Sequence, residues 1–396
     1  MHPETPADPP HNPGPPPIPG PPPMPTPPRL GDGTTPDLTT VHFACVNCGG
    51  QLVFHPPTRG MKCPSCGSER PIEAAEEKPA ERDLLATLED QRKPPSAQAV
   101  TSGPQKELVC PNCNGHIGFV GSLTATRCPF CASPVQRSDI HEAPNRLPVD
   151  GVVPFGIDTM AAEEKVKEWI NGRWFAPNDF KKYSKTGSFS GVYLPFFTFD
   201  AQTYTEYEGQ RGDNYTVTVG SGQNQRTETR IRWRHVSGAV DVPFDDVAIG
   251  AEHSLDPERL QALEPWPTQA AVAFRPEYLA GSMSRFYEKE LDVCHSEAVQ
   301  RMNNDIAYAI RRDIGGDHQR IHRTDTTWSR QTYRHLLLPI FLLVVMFHAK
   351  PYQVFVNGVT GEVQGERPYS WIKITLAVIA ALIVVGVGLG VYYSGK

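Results

Sequence analysis

A chain of 396 residues has room for two or three domains, and its hydrophobic share of 39% is too low for a polytopic membrane protein. The formal net charge of −6 excludes a generally basic surface drawn to nucleic-acid phosphates, leaving only a local basic patch for such contacts. Eight of the nine cysteines fall into CxxC pairs, which in a chain without a secretory signal points to metal rather than disulfides.

Residues 1–40 are the first segment. Sixteen of the 40 prolines precede residue 37, and no apolar periodicity accompanies them. Such a segment cannot bury enough surface to fold, so a disordered tail of polyproline II character is expected. A solvated tail and an SH3-type ligand are its two readings. The start, "MHPETPADPPHNPG", lacks both a basic beginning and an apolar core, so it is not expected to be a signal peptide. The bulk of the chain is accordingly expected in the cytoplasm.

A repeat follows. Cys45, Cys48, Cys63 and Cys66 are matched by Cys110, Cys113, Cys128 and Cys131, each 65 residues on, with 14 residues between the knuckles of either copy. The surroundings repeat too: "GGQLVF" answers "NGHIGF", and "RGMKCPSC" answers "TATRCPFC". Four thiolates in this spacing can close a tetrahedron around Zn²⁺, because each CxxC turn offers two sulfurs from one tight knuckle. Gly49 and Gly67 give two of the knuckles a permissive backbone. Two zinc ribbons are expected, at 41–70 and 107–137, each folded by one structural Zn²⁺. The same ligands would also suit iron or a redox centre. Four cysteines per set leave no open coordination position, so a catalytic metal is not expected.

Between the copies, residues 71–106 form an acidic linker, with a short helix expected between its prolines. From 138 to 370 the pattern changes to an α+β domain with a mainly antiparallel sheet. "GVVPF", "GVYLPFFTFDAQTYTEY" and "YTVTV" read as strands, and "RTETRIRWRHVSGAV" follows a "GSGQNQ" turn as a hairpin partner. Helices are expected at "DTMAAEEKVKEWINGRW", capped by Asp158, and from about Ser284 to Asp313. The second carries Tyr287, Leu291, Cys294, Ala298, Met302 and Ile306 at helical spacing. The run "LLLPIFLLVVMF" is too short to span a bilayer and reads as a buried strand, with Pro339 at an edge or bulge. Asn357-Gly358 marks a turn.

Residues 371–396 are the last segment. Ile374 to Tyr393 is uncharged and, at 1.5 Å per residue, roughly 30 Å long as a helix, the thickness of a hydrocarbon core. Trp371, Tyr392 and Tyr393 suit the two interfaces, with Lys373 able to snorkel. Gly386, Gly388 and Gly390 allow close helix packing. One C-terminal transmembrane helix is expected, tail-anchoring a cytoplasmic body in the cell membrane. Arg367 and Lys373 before it, against Lys396 after it, favour that orientation.

Little else points to chemistry. Cys294 lies on the apolar stripe of its helix, and its neighbour His295 points elsewhere, so it reads as a packed thiol. His141, Glu142 and the "RGD" at 211–213 are lone short matches. No P-loop, G-x-S-x-G elbow or H-E-x-x-H helix occurs, and neither catalytic residues nor an organic cofactor are expected. The ribbons are only mildly basic by count, with Arg59, Lys62 and Arg70 against one acid, Glu69, and Lys106, Arg127 and Arg137 against Glu107. That favours protein contact over nucleic acid.

The CxxC knuckles, "GVYLPFFTFDAQTYTEYEGQRGD", "DIGGDHQRI", "RHLLLPIFLL" and "YQVFVNGVTGEVQGERPYSWIKI" together resemble a family of bacterial membrane-anchored zinc-ribbon proteins. Its members are often labelled TFIIB-type zinc-ribbon or primosomal N′ (replication-restart helicase)-like proteins. The helicase label has no counterpart here, since no Walker A sequence exists. Members are often encoded with phage-shock protein A, SPFH and TPM-domain proteins. The resemblance therefore implies recruitment of such partners in envelope stress. This chain differs in its Pro-rich extension and in its two full ribbons. The expectation is a membrane-tethered adaptor, the alternatives being a tethered nucleic-acid binder or a zinc-thiolate redox sensor.

Overall fold

The computed structural model describes residues 43–73, 78–93, 106–113, 115–119, 128–131, 133, 140–142, 146–177, 180, 188–222, 225–253, 255–347 and 350–394. The Pro-rich tail, Arg127 and Arg137 lie outside them, as do the side chains of His141 and Glu142. The strands begin with β1 (Val53–His55), β2 (Gly60–Lys62), β3 (Glu69–Pro71) and β4 (Arg82–Asp83), followed by helix α1 (Leu84–Gln91). Then come β5 (Lys106–Val109), β6 (His116–Phe119), β7 (Ile140–Glu142), β8 (Gly151–Val152), α2 (Thr159–Asn171), β9 (Ser188–Val219) and β10 (Arg226–Gly250). The remainder are α3 (Pro257–Gln261), β11 (Val272–Ala273), β12 (Met283–Arg285), α4 (Leu291–Ile314), β13 (His318–Phe347), β14 (Lys350–Asn357), β15 (Val363–Gly365) and α5 (Trp371–Ser394).

Among the described residues, β1-β2-β3 form one small antiparallel sheet and the other twelve strands form a single large one. The small sheet does not stand free. Met61, Phe43 and Leu52 bury against Cys45, Cys63 and Ala280, the last from the large body. Phe54 donates its backbone N–H to the Ala280 carbonyl at 2.9 Å, and its ring meets Tyr278 edge-on at 5.6 Å. The acidic linker does contain a helix. Asp83 starts α1 by accepting from the Ala86 N–H at 2.8 Å, and Leu84 is fully buried. The linker is also fastened: β4 pairs with β13, and Arg82 meets Asp150 at 2.6 Å.

Three antiparallel strands, β9 of 32 residues, β10 of 25 and β13 of 30, form the backbone of the body. The two segments read as separate strands before the "GSGQNQ" turn are one strand, because bends are absorbed by bulges rather than turns. The β10 register shifts between Phe244 and Val247 and the β13 register between Ser329 and Thr332, both beside Asp200 of the central β9. Bulges of this kind bend and twist a strand without ending it.

The apolar run in β13 is buried on both faces, which is why it lacks alternation. Leu336, Leu338, Ile340 and Leu342 turn to one core with Val192 and Leu194. Leu337, Phe341, Leu343 and Val345 turn to another with Tyr193 and Val356. Pro339 is in a central strand, not at an edge. The neighbouring strand changes there: β8 pairs through Leu337 and β14 begins at Ile340. Its missing N–H therefore faces a gap in the ladder, and its carbonyl accepts from the Gly358 N–H at 2.9 Å.

Asp158 caps α2, accepting from Ala161 N–H at 2.8 Å, and Ala162, Val166 and Ile170 bury its inner face. The long helix α4 covers the strand trio with Leu291, Cys294, Ala298, Met302, Ile306, Ile310 and Ile314. It starts later than its periodicity implied. Met283–Arg285 is strand β12, parallel to β9 and antiparallel to β6, so the chain is extended there before Tyr287 is buried. Among the described residues α5 is the one helix long and apolar enough to cross a membrane, by length and composition, and none of its apolar window is buried.

Candidate metal centres

Each copy of the repeat brings its four sulfurs together, grouped as the spacing implied. In either set the four sulfurs lie within 4.8 Å of one another. Cys45 and Cys66 approach to 3.5 Å, as do Cys48 and Cys63, and the counterparts Cys110–Cys131 and Cys113–Cys128 lie 3.6 and 3.7 Å apart. A tetrahedral site with metal–sulfur bonds of about 2.3 Å has edges of about 3.8 Å, so both sets have nearly the right size. All nine cysteines are free thiols, and these separations are far beyond the roughly 2.05 Å of a disulfide.

The backbone explains how the knuckles form. The N–H of Cys45 reaches the Gly50 carbonyl at 2.7 Å, and that of Cys110 reaches Gly115 at 3.1 Å. Cys63 to Ser68 and Cys128 to Ser133 repeat the contact, each at 2.8 Å. Both contacts are therefore preserved between the two copies. Gly49 and Gly67 carry φ of +71° and +76°, as the turn demands. Gly50 and Gly115 serve a different purpose. A Cβ on either would stand 3.3 Å from the sulfur of Cys48 or Cys113, so glycine leaves that sulfur room.

The charge state of the sulfurs suits a cation. Backbone N–H groups of Asn47 and Cys48 hold the Cys45 thiol below its usual range. The Ser68 hydroxyl, 3.0 Å away, draws Cys66 down to about 6, and Asn47 in turn donates to Ser68 at 2.7 Å. At Cys48 the Gly50 N–H favours the thiolate, yet the sulfurs of Cys66 and Cys63 push the thiol up to about 12. Four crowded sulfurs cannot all ionise alone, and a divalent cation among them removes that conflict. These donors fit a structural metal ion, and each set would surround it completely.

The two centres differ in setting. Cys48 and Cys66 are exposed, whereas Cys113 and Cys131 are half-buried and Cys110 and Cys128 belong to the main core with Leu338 and Phe355. Strand β6 of the second unit continues into the body through β12, and Gln353 donates to the Phe130 carbonyl at 2.8 Å. Arg285 on β12 is fully buried, pairs with Glu252 at 3.1 Å and Glu288 at 2.7 Å, and stacks on the Phe130 ring at 4.4 Å. Its Nη2 would be 3.2 Å from a Cβ on Gly115, so its positive charge adjoins the second cluster. Sequence reasoning missed Arg285, which lies over 150 residues from the cluster and inside a stretch read as helix. Gly50/Gly115 and Ser68/Ser133 were findable, because both pairs repeat at the 65-residue offset of the cysteines.

A third group of potential ligands, Asp200, Asp245 and Asp246, is of another kind. Arg334 pairs with Asp246, the Asp246 N–H donates to Asp200 at 2.6 Å, and Thr332 donates to Asp200 at 3.0 Å. One of its three charges is thus answered by Arg334, and Asp245 is exposed. Cys294 is fully buried, its thiol directed at the Lys289 carbonyl 3.8 Å away and pushed up to about 12 by burial.

Across 334 residues the chain is 24% identical to a Bacillus subtilis (strain 168) protein described as "Uncharacterized protein YdjG", covering 83% of this chain and 91% of that one. No family model and no solved structure matches the chain. The similarity thus extends over nearly the whole relative and carries no activity with it.

Proposed function

We propose that the protein is a membrane-tethered adaptor: two zinc ribbons and the sheet body bind protein partners at the cytoplasmic membrane face, and α5 holds them there. One observation carries the reading. Two closed four-sulfur sets, with no position left for a substrate, share a chain with a long apolar helix whose apolar window is not buried. Zinc is favoured over other ions because four thiolates and a tetrahedral frame suit it, and the reduced cysteines favour the cytoplasmic side. The span would confine the ribbons to a surface layer, raising their effective concentration toward a partner on the same membrane. By the resemblance already described, such partners are of the phage-shock protein A or SPFH type and the setting is envelope stress.

A second reading has one surface in its favour. On the far part of the long strands Arg232 stacks on Tyr215 at 4.9 Å and Arg320 on Trp233 at 4.0 Å, a combination suited to single-stranded nucleic acid. Asp213 and Glu228 nevertheless pair with Arg211, Arg226, Arg230 and Arg234 around it. Affinity purification of the detergent-solubilised chain, followed by mass spectrometry, tests the choice. Membrane-associated proteins that persist after nuclease treatment support the adaptor. Salt-sensitive retention on DNA with no protein partner would overturn it.

A further inference from the structure

A cavity of about 610 Å³ lies at the root of α5, walled by the end of α2, by β14 and by the segment leading into the helix. Its lining includes Trp169, Arg173, Lys350, Tyr352, Arg367 and Tyr369. We propose that this cavity binds the phosphate headgroup of an anionic membrane lipid.

Charge is the first argument. Arg173 stacks on Trp169 at 4.7 Å, Lys350 on Tyr352 at 5.6 Å and Arg367 on Tyr369 at 5.4 Å. Among the described residues none of these three cations has a carboxylate partner. Arg259, also in the lining, is different: Glu366 at 2.8 Å and Asp256 at 3.3 Å neutralise it. Three cations therefore converge on one cavity with no carboxylate partner among the described residues.

Orphaned donors are the second argument. The indole N–H of Trp169 and the Nε of Arg173 are both buried without a hydrogen-bond partner. Buried donors without an acceptor are costly, and both belong to side chains that line the cavity. A zwitterionic headgroup fits less well. The one acid in the lining, Glu366, is held by Arg259, and the protein's own cations already cover three aromatic faces, so no cage for a quaternary ammonium is left.

Position is the third argument, and it rests on reading α5 as a membrane span. The Ser370 N–H donates to the Phe175 carbonyl and the Lys373 ammonium to the Ala176 carbonyl, both at 2.8 Å. The loop after α2 is thereby fixed to the first turn of α5. Lys373, expected to snorkel outward, instead reaches this loop. Trp371, Trp174 and Tyr369 are 81%, 73% and 57% exposed around the same root, as residues at headgroup level are. The cavity mouth thus sits where lipid phosphates lie.

The test uses the full chain, reconstituted in vesicles of phosphatidylcholine and phosphatidylglycerol in equal amounts, then extracted in mild neutral detergent for counting of retained lipids. Wild type should retain phosphatidylglycerol over phosphatidylcholine, and inorganic phosphate should not displace it. A cation near an anionic surface contributes about fivefold in binding, so Lys350→Gln with Arg367→Gln should weaken retention about thirtyfold. Arg226→Gln with Arg230→Gln, two cations on the exposed long strands, should retain lipid as wild type does. Equal retention of both lipids, undiminished retention by a double variant that melts like wild type, or equal loss in the strand variant would overturn the proposal. Displacement by inorganic phosphate would make this a free-phosphate site and overturn it too. Alkaline carbonate washing separates the two readings. A chain that stays in the pellet without selective lipid refutes the headgroup site alone, and a chain that washes off refutes the span and the headgroup site with it.

Discussion

The guanidinium of Arg285 stands 4.4 Å from the centre of the Phe130 ring, and Phe130 lies between Cys128 and Cys131 in the last knuckle of the second cluster. A buried cation of the body thus holds this cysteine knuckle in place, and the two clusters are not equivalent. Arg285→Met should destabilise the body by about 3–5 kcal/mol, because Glu252, fully buried, loses its charge partner. Lysine should not rescue it, since an ammonium cannot stack and fork as a guanidinium does. Urea titration reads the stability, and an unchanged midpoint would show that Glu252 is satisfied without Arg285.

The same asymmetry separates the cysteines. Cys66→Ser removes an exposed ligand and should empty only the first centre, leaving the main unfolding transition of the body in place. Cys128→Ser removes a ligand that belongs to the principal core and should lower that transition and release the second metal together. Thermal unfolding with a zinc-sensitive dye distinguishes the two. Equal effects from both substitutions would mean that the clusters are energetically alike.

His335 gives a pH dependence with a definite sign. It is enclosed by Phe197 at 5.0 Å and Tyr287 at 5.5 Å, and burial pulls it from 6.5 down to about 4, against the opposing bond to the Pro148 carbonyl. The unfolded chain therefore takes up this proton first as the pH falls. The contribution of the neutral ring is complete above about pH 6.5 and is lost toward pH 4, amounting to about 3 kcal/mol. His335→Phe should lack that part of the acid destabilisation while sharing any loss due to metal release. Identical pH profiles of unfolding free energy would contradict the assignment.

Cys294 should behave as packing. Its thiol, raised to about 12, should resist alkylation in the folded protein and react only on unfolding. Cys294→Ala should cost about 1 kcal/mol and leave partner binding intact. Rapid labelling of the native chain at neutral pH would contradict a buried, protonated thiol.

Much of this was readable in the residues, and the rest failed for identifiable reasons. The cysteine sets were legible because spacing alone brings CxxC pairs into one knuckle and duplication shows the offset. Asp158 and the stripe from Leu291 to Ile306 were legible because a cap and a 3.6-residue period are local signals. The start of that helix was not, since what holds Met283–Arg285 extended is pairing with β9 and β6, far away in sequence. Nor was the position of Pro339, which depends on where β8 ends and β14 begins beside it. Arg285 and the cavity at the root of α5 arise from long-range packing that no local pattern records.

The measurement that tests the central claim most directly is the metal content of the full chain purified from carbonate-washed membranes. The account predicts that the protein stays in the membrane pellet and carries two zinc ions, one for each four-cysteine set. Recovery in the carbonate supernatant, a ratio near one or zero, or iron in place of zinc would contradict it.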